Sequence, residues 1–133
     1  MKFLIVGTPV SKKNSQQILI NPKTKRPFIS PSAKYKRYAK AAVEQLLMQA
    51  VAQGLNDSID YPVNIKMRFY MDTHSRCDLV NLEEACLDVL CEAGIIRDDN
   101  YTIAESYDES LVFYDKEFPR TEITITRKDG GLL

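Results

Sequence analysis

Cysteine and histidine are scarce in this 133-residue chain, which has three cysteines and one histidine. Structural zinc sites usually take four such ligands at short spacings, and no Cys-x-x-Cys pair occurs here. The odd number of cysteines agrees with reduced thiols. We therefore expect Cys77, Cys86 and Cys91 to act as small apolar side chains.

Long hydrophobic runs are also missing. No apolar run approaches the roughly 20 residues that cross a bilayer, and Met1–Val6 is too short an apolar run for a signal peptide. The content of 44% apolar and 27% charged residues is ordinary for a globular protein. These features predict one domain, residues 1–133, in a cytoplasmic protein that does not enter membranes.

Acidic residues are absent from the first third of the chain. Residues 1–43 contain ten Lys or Arg and no Asp or Glu. Because the whole chain has 18 residues of each sign, residues 44–133 carry 8 basic and 18 acidic ones. A cationic segment of this density attracts polyanions such as nucleic acids, although a solvated lysine-rich surface would have the same composition.

Hydrophobic periodicity and turn residues predict the order β, hairpin, α, β, α, β, β. The expected strands are Lys2–Val6, a hairpin of Gln17–Ile20 and Pro27–Ile29, Val63–Met71, Ile103–Tyr114 and Thr121–Arg127. The expected helices run from the N-cap Ser32 to Gly54, and over Leu79–Ala93 with Asp78 as N-cap. The fold class is α/β (α+β), with a single mixed sheet and two helices.

The second helix has an acidic side. Its apolar stripe leaves Asn81, Glu84 and Asp88 on another face, which spacing alone explains as a solvated surface. Asp78 has a structural explanation as an N-cap that accepts from the first-turn amides. Asp98-Asp99 follows the helix closely, however, and carboxylates concentrated in this way also suit a hard divalent cation. A cation site beside a basic segment is the arrangement that phosphodiester hydrolysis requires.

Three segments together resemble the RusA-type Holliday-junction resolvases over about residues 3–127. They are Arg76-Cys77-Asp78-Leu79-Val80-Asn81-Leu82, Asp88-Val89-Leu90 and Ala93-Gly94-Ile95-Ile96-Arg97-Asp98-Asp99-Asn100. The Asp-Leu-x-Asn-Leu helix start coupled to Ala-Gly-x-x-x-Asp-Asp is the most specific part. The segment from Pro9 to Ser15 is similar to the basic loop of that family.

The resemblance implies a homodimeric endonuclease that uses Mg²⁺ or Mn²⁺ to nick opposed strands of branched double-stranded DNA. By position it implies metal-binding roles for Asp78 and Asp99, and a catalytic role for Asn81. It also implies phosphate contacts, expected at Lys12, Lys13, Asn14 and Arg76.

Two residues depart from the family pattern. Val80 stands where members commonly carry a second aspartate, and Glu84 stands where they carry a lysine. Glu84 lies one helical turn beyond Asn81, so we expect it to supply the oxygen that Val80 cannot, giving the metal set Asp78, Asp99, Glu84 and Asp98, with Asp88 a further candidate through water. The alternatives are a dimer of the same fold that binds branched DNA without cutting it, and a protein whose charge asymmetry drives association.

Overall fold

A computed structural model describes residues 1–13 and 16–129. Its elements are β1 (Lys2–Val6), β2 (Gln16–Ile20), β3 (Pro27–Pro31), α1 (Ala33–Ala52), β4 (Val63–Met71), α2 (Leu79–Glu92), β5 (Ala104–Ser106), β6 (Leu111–Tyr114) and β7 (Arg120–Arg127). The mixed sheet and two helices confirm the predicted fold class. The core draws on both helices and on the sheet, whereas the one-domain boundary of 1–133 stays a prediction.

Strand β4 lies in the middle of a five-stranded sheet. It pairs antiparallel with β7 on one side, and β7 pairs antiparallel with β1. On its other side β4 pairs parallel with β5 and then with β6. The alternation predicted for β4 is present: Val63, Ile65, Met67 and Phe69 are buried, and the residues between them are half-buried.

The predicted strand over Ile103–Tyr114 is wrong in one respect, since a turn divides it into β5 and β6. Glu109 has a φ of 67° at this turn. The side-chain oxygen of Asn64 accepts from the Asp108 amide at 2.7 Å, and the Ser110 hydroxyl accepts from the Met67 amide at 3.0 Å. Ser110 thus satisfies a backbone amide at the edge of β4 where no strand covers it, and Asn64 holds the turn in place.

Helix α1 begins as predicted, because the Ser32 hydroxyl accepts from the Tyr35 amide at 3.1 Å. One side of α1 carries glutamines at every fourth position, and these reach the open edge of β1. Gln49 binds both the amide and the carbonyl of Leu4, at 2.7 Å each. Gln45 accepts from the Val6 amide at 2.8 Å, and Gln53 donates to the Lys2 carbonyl at 2.8 Å. The helix thus takes the place of a neighbouring strand at this edge.

We expect Gln49→Leu to lower the free energy of unfolding by about 1–3 kcal/mol, because two backbone groups of Leu4 lose their partners in a half-buried setting. Urea unfolding followed by circular dichroism measures the change. Gln53→Leu, which removes one exposed bond, is the matched control and should cost less. Equal costs for the two variants would contradict this role of Gln49.

Helix α2 packs its apolar stripe into the core through buried Leu82, Cys86, Val89 and Leu90. Gly94 follows at a φ of 74°, and the chain then turns so that Ile96 pairs with Ile59. This short bridge fixes the start of the Asp98-Asp99 turn. The three cysteines are free, and burial raises the pKa of the Cys86 thiol, in agreement with an apolar role.

Strands β2 and β3 form a separate two-stranded sheet, in antiparallel register from Gln16 opposite Pro31 to Ile20 opposite Pro27. The chain order predicts a hairpin here, and the structure confirms it. The expectation of a single sheet is wrong in this respect, because over residues 1–13 and 16–129 the hairpin does not pair with the five-stranded sheet. In the described residues, no helix is long and apolar enough to cross a membrane.

Candidate functional site

Asp78 occupies the N-cap position of α2, but its carboxylate makes no capping hydrogen bond, so the predicted acceptance from first-turn amides is wrong. Its Oδ2 instead accepts from the Asn81 side-chain amide at 3.2 Å. An aspartate at this position ordinarily accepts from the amides of the first turn. Here the Asp78 carboxylate is instead oriented by Asn81 and exposed to solvent.

The basic loop after β1 lies against the acidic side of α2. Lys13 Nζ is 3.2 Å from Glu84 Oε2, and Lys12 Nζ is 3.7 Å from Asp88 Oδ2. All four side chains are about half exposed, between 46% and 57%, so these pairs hold the loop only weakly. Two residues expected to bind a metal or DNA, Glu84 and Lys13, therefore contact each other.

A cavity of about 510 Å³ joins the basic loop to the segment before α2. Residues from the loop after β1, both helices, the end of β4 and the segment before α2 line it: Thr8, Pro9, Val10, Ser11, Lys34, Met71, Asp72, Thr73, Ser75, Arg76, Cys77 and Leu82. The expected DNA contact Arg76 thus lies with the loop at the carboxyl end of β4. Asn14, the remaining predicted contact, lies outside the described residues.

Asp72 and Lys34 line this cavity, and the sequence patterns did not predict them as site residues. Asp72 directly follows the last residue of β4 and is half-buried. Its position at the end of a strand was a signal that could have found it, since polar side chains at strand ends commonly face a site. Lys34 gave no separate signal among the many lysines of the first third.

The Asp98-Asp99 turn lies near the other end of α2. Asp98 Oδ1 accepts from the Asp99 amide at 2.7 Å and its Oδ2 from the Asn100 side-chain amide at 3.0 Å, and these bonds lower the pKa of Asp98. Partial burial raises the pKa of Asp99, and the carboxylates of Asp98 and Asp88 raise it further. The pKa of the Cys91 thiol is raised to about 11, mainly by burial and further by the negative charges of Asp99, Asp98 and Asp88. This end of α2 is therefore strongly negative.

The structure does not gather the predicted metal set at one point. Asp78 precedes α2 and Asp99 follows it, and a helix of 14 residues is about 21 Å long. Over residues 1–13 and 16–129, no three Asp, Glu, His or Cys side chains lie close enough to hold one metal ion. Asp78 with Asn81, Glu84 with Lys13, and Asp98 with Asp99 form three separate groups along one helix.

A family model described as Endodeoxyribonuclease RusA matches residues 7–126, nearly the whole chain. The chain belongs to the RusA endodeoxyribonuclease family. The match covers the basic loop, the Asp78–Asn81 helix start and the Asp98-Asp99 turn, and it confirms the family resemblance. Membership implies an endonuclease that resolves Holliday junctions. No curated protein matches the chain significantly.

Proposed function

We propose that this RusA-family chain resolves four-way DNA junctions as a homodimer in the cytoplasm, using Mg²⁺ or Mn²⁺ to hydrolyse one phosphodiester bond in each of two opposed strands. The observation that carries the proposal is the uncapped carboxylate of Asp78, held by Asn81 beside a basic loop. Two nicks placed symmetrically on a junction call for two sites related by a two-fold axis, which supports the homodimer.

The proposed metal-binding residues carry the oxygen ligands that a hard divalent cation prefers. Asp78, Asp99, Glu84 and Asp98 all offer carboxylate oxygens, and Mg²⁺ typically takes one or two carboxylates while water and phosphate fill its remaining positions. The three-carboxylate cluster that is missing from the described residues is therefore not a requirement for Mg²⁺. Asp78 and Asp99 are the proposed principal ligands, with Asp98 beside Asp99. Because α2 keeps Asp78 and Asp99 apart within one chain, they do not bind one cation within a single protomer.

When bound, the cation would supply an activated water and stabilise charge on the attacked phosphate. The chain's own residues perform the remaining tasks. Asn81 keeps the Asp78 carboxylate in one orientation through their hydrogen bond. Lys12, Lys13 and Arg76 are proposed to bind the DNA phosphates, which places the scissile strand along the same side of α2.

A non-catalytic junction-binding dimer is the second candidate, and one observation favours it. Val80 is 62% exposed on the first turn of α2, where an apolar side chain offers no oxygen in place of the aspartate common in the family. Incubation of the wild-type protein with a labelled four-way junction, with Mg²⁺, with Mn²⁺ and with EDTA, separates the two. Paired nicks in either metal support the nuclease, and binding without nicks under all three conditions supports the second candidate.

Replacing both Lys12 and Lys13 with alanine should weaken binding to every DNA sequence about equally. Each lost phosphate contact should reduce the slope of log affinity against log salt by about 1. Fluorescence anisotropy at several salt concentrations in EDTA measures this slope. The control Lys116→Ala/Lys128→Ala removes the same charge from exposed positions. An equal slope in the two double variants would remove the loop from the DNA contacts.

A further inference from the structure

The β2–β3 hairpin exposes an unusually apolar face. Ile18 lies opposite Ile29, and Ile20 lies two residues from Ile18, so the three side chains share one face of the two-stranded sheet. Their exposed fractions are 74%, 67% and 67% for Ile18, Ile20 and Ile29. Three neighbouring isoleucines this exposed on a two-stranded sheet indicate a surface that a ligand covers.

The tip of the same hairpin is cationic, and hydrogen bonds close its turn. The Asn21 side-chain oxygen accepts from the amides of Lys23 at 2.9 Å and Thr24 at 3.3 Å. Its backbone accepts from Lys25 at 2.8 Å and donates to Arg26 at 3.0 Å. These four bonds close the turn and leave the side chains of Lys23, Lys25 and Arg26 exposed.

A polyanion with accessible apolar surface fits this combination better than a protein surface does. The three cations have no acidic residue within residues 1–43 to balance them, so the tip attracts phosphate. The major groove of DNA is about 12 Å wide and admits a two-stranded β-ribbon. Apolar side chains such as isoleucine contact thymine methyl groups or wedge between unstacked bases, which a branch point exposes.

We propose that the β2–β3 hairpin is a second DNA-binding element, in which Lys23, Lys25 and Arg26 grip phosphates while Ile18, Ile20 and Ile29 contact bases at the branch. The inference rests on the proposed function, since it takes branched DNA as the ligand. It differs from the Lys12-Lys13 loop in combining charge with an apolar face, so it contributes to junction preference as well as to affinity.

The test compares two hairpin variants of the full chain by anisotropy in EDTA, on a four-way junction and on a linear duplex with the same arm sequence. Lys23→Ala/Lys25→Ala/Arg26→Ala should lower affinity for both DNAs by about ten-fold or more and reduce the salt slope by about 2 to 3. The control Lys2→Ala/Lys116→Ala/Lys128→Ala removes three exposed charges elsewhere.

The variant Ile18→Thr/Ile29→Thr keeps β-branched residues in both strands, so the hairpin should persist. It should leave duplex affinity and the salt slope unchanged and lower the junction preference about ten-fold. Sedimentation velocity of the same variants tests the competing occupant, a second copy of the chain. A change in oligomeric state with unchanged DNA affinity would overturn the inference.

The outcomes also separate this inference from the proposed function. Wild-type protein that binds no junction at all would overturn both. Wild-type protein that binds the junction, together with hairpin variants that behave like the triple control, would overturn the hairpin role alone. A fall in junction affinity confined to the hairpin variants would support the hairpin role, while the nicking assay with Mg²⁺ and Mn²⁺ decides the proposed function.

Discussion

Asp78→Asn is expected to reduce junction cleavage by about a thousand-fold or more and to leave junction binding within about two-fold of wild type. The cation would supply several kcal/mol of transition-state stabilisation, which is lost when removal of a ligand releases it, and each 1.36 kcal/mol corresponds to a factor of ten in rate. Binding survives because the cationic loop and Arg76 are unchanged. Gel-based nicking with Mg²⁺ and anisotropy in EDTA measure the two quantities.

The substitution is also conservative for folding. Asparagine is as good an N-cap as aspartate, and its side-chain oxygen can still accept from Asn81. Asp99→Asn should lose cleavage in the same way, since Asp99 is the other proposed principal ligand. Asp57→Asn, at an exposed position in the loop after α1, is the matched control and should cleave at the wild-type rate.

A second readout does not depend on cleavage. If Asp78 binds the cation, Mg²⁺ or Mn²⁺ should raise the midpoint of thermal unfolding of the wild type in proportion to the logarithm of its concentration. Asp78→Asn should weaken that rise. Normal cleavage by Asp78→Asn would remove Asp78 from the site, and an unchanged metal effect on stability would remove it from the metal ligands.

The periodic elements could be predicted from the sequence because each one buries a single face. The alternation in Val63–Met71 and the helical spacing after Asp78 both survive in the structure, as does the N-cap at Ser32. The division of β5 from β6 could not be predicted, because it depends on Asn64, whose side chain organises a turn 44 residues later in the chain. Local patterns carry no information on such a contact.

The sequence predicts which types of residue form the site, but not which of their side chains contact one another. Family motifs pointed to Asp78 and Asn81, and these two residues do contact each other. The gathering of Asp78, Asp99 and Glu84 was inferred from spacing along the chain, yet in the described residues the length of α2 keeps such carboxylates in separate groups. The pairing of Glu84 with Lys13 joins residues 71 positions apart, and only the folded chain reveals it.

Two roles compete for Glu84, and one substitution separates them. Without DNA its carboxylate lies 3.2 Å from the Lys13 ammonium and holds the basic loop against α2. DNA phosphates compete for the same lysine, and a lysine that turns to phosphate leaves the Glu84 oxygens available to a divalent cation. We therefore keep Glu84 as a proposed metal ligand of the DNA-bound state.

Glu84→Gln should lower the cleavage rate by about a hundred-fold while junction affinity in EDTA stays the same or rises, because Lys13 loses a competing anion. The size of the effect decides between the roles. An exposed ion pair is worth about 0–1 kcal/mol, so loss of loop docking alone accounts for at most about a five-fold fall. Asp88→Asn breaks the neighbouring pair with Lys12. Because Asp88 is also a candidate ligand through water, a fall of five-fold or less in this variant would assign it to loop docking alone.

The charge-swapped variant Lys13→Glu/Glu84→Lys completes the test. It restores an ion pair between loop and helix but leaves position 84 with an ammonium that cannot bind a cation. If Glu84 is a ligand, the swapped variant should cleave no better than Glu84→Gln at saturating DNA, a condition that is needed because Lys13→Glu also removes a proposed phosphate contact. A fall of five-fold or less in Glu84→Gln would show that Glu84 only docks the loop, and recovery of cleavage in the swapped variant would show that position 84 needs no carboxylate. In either case the proposed metal ligands would be Asp78, Asp99 and Asp98.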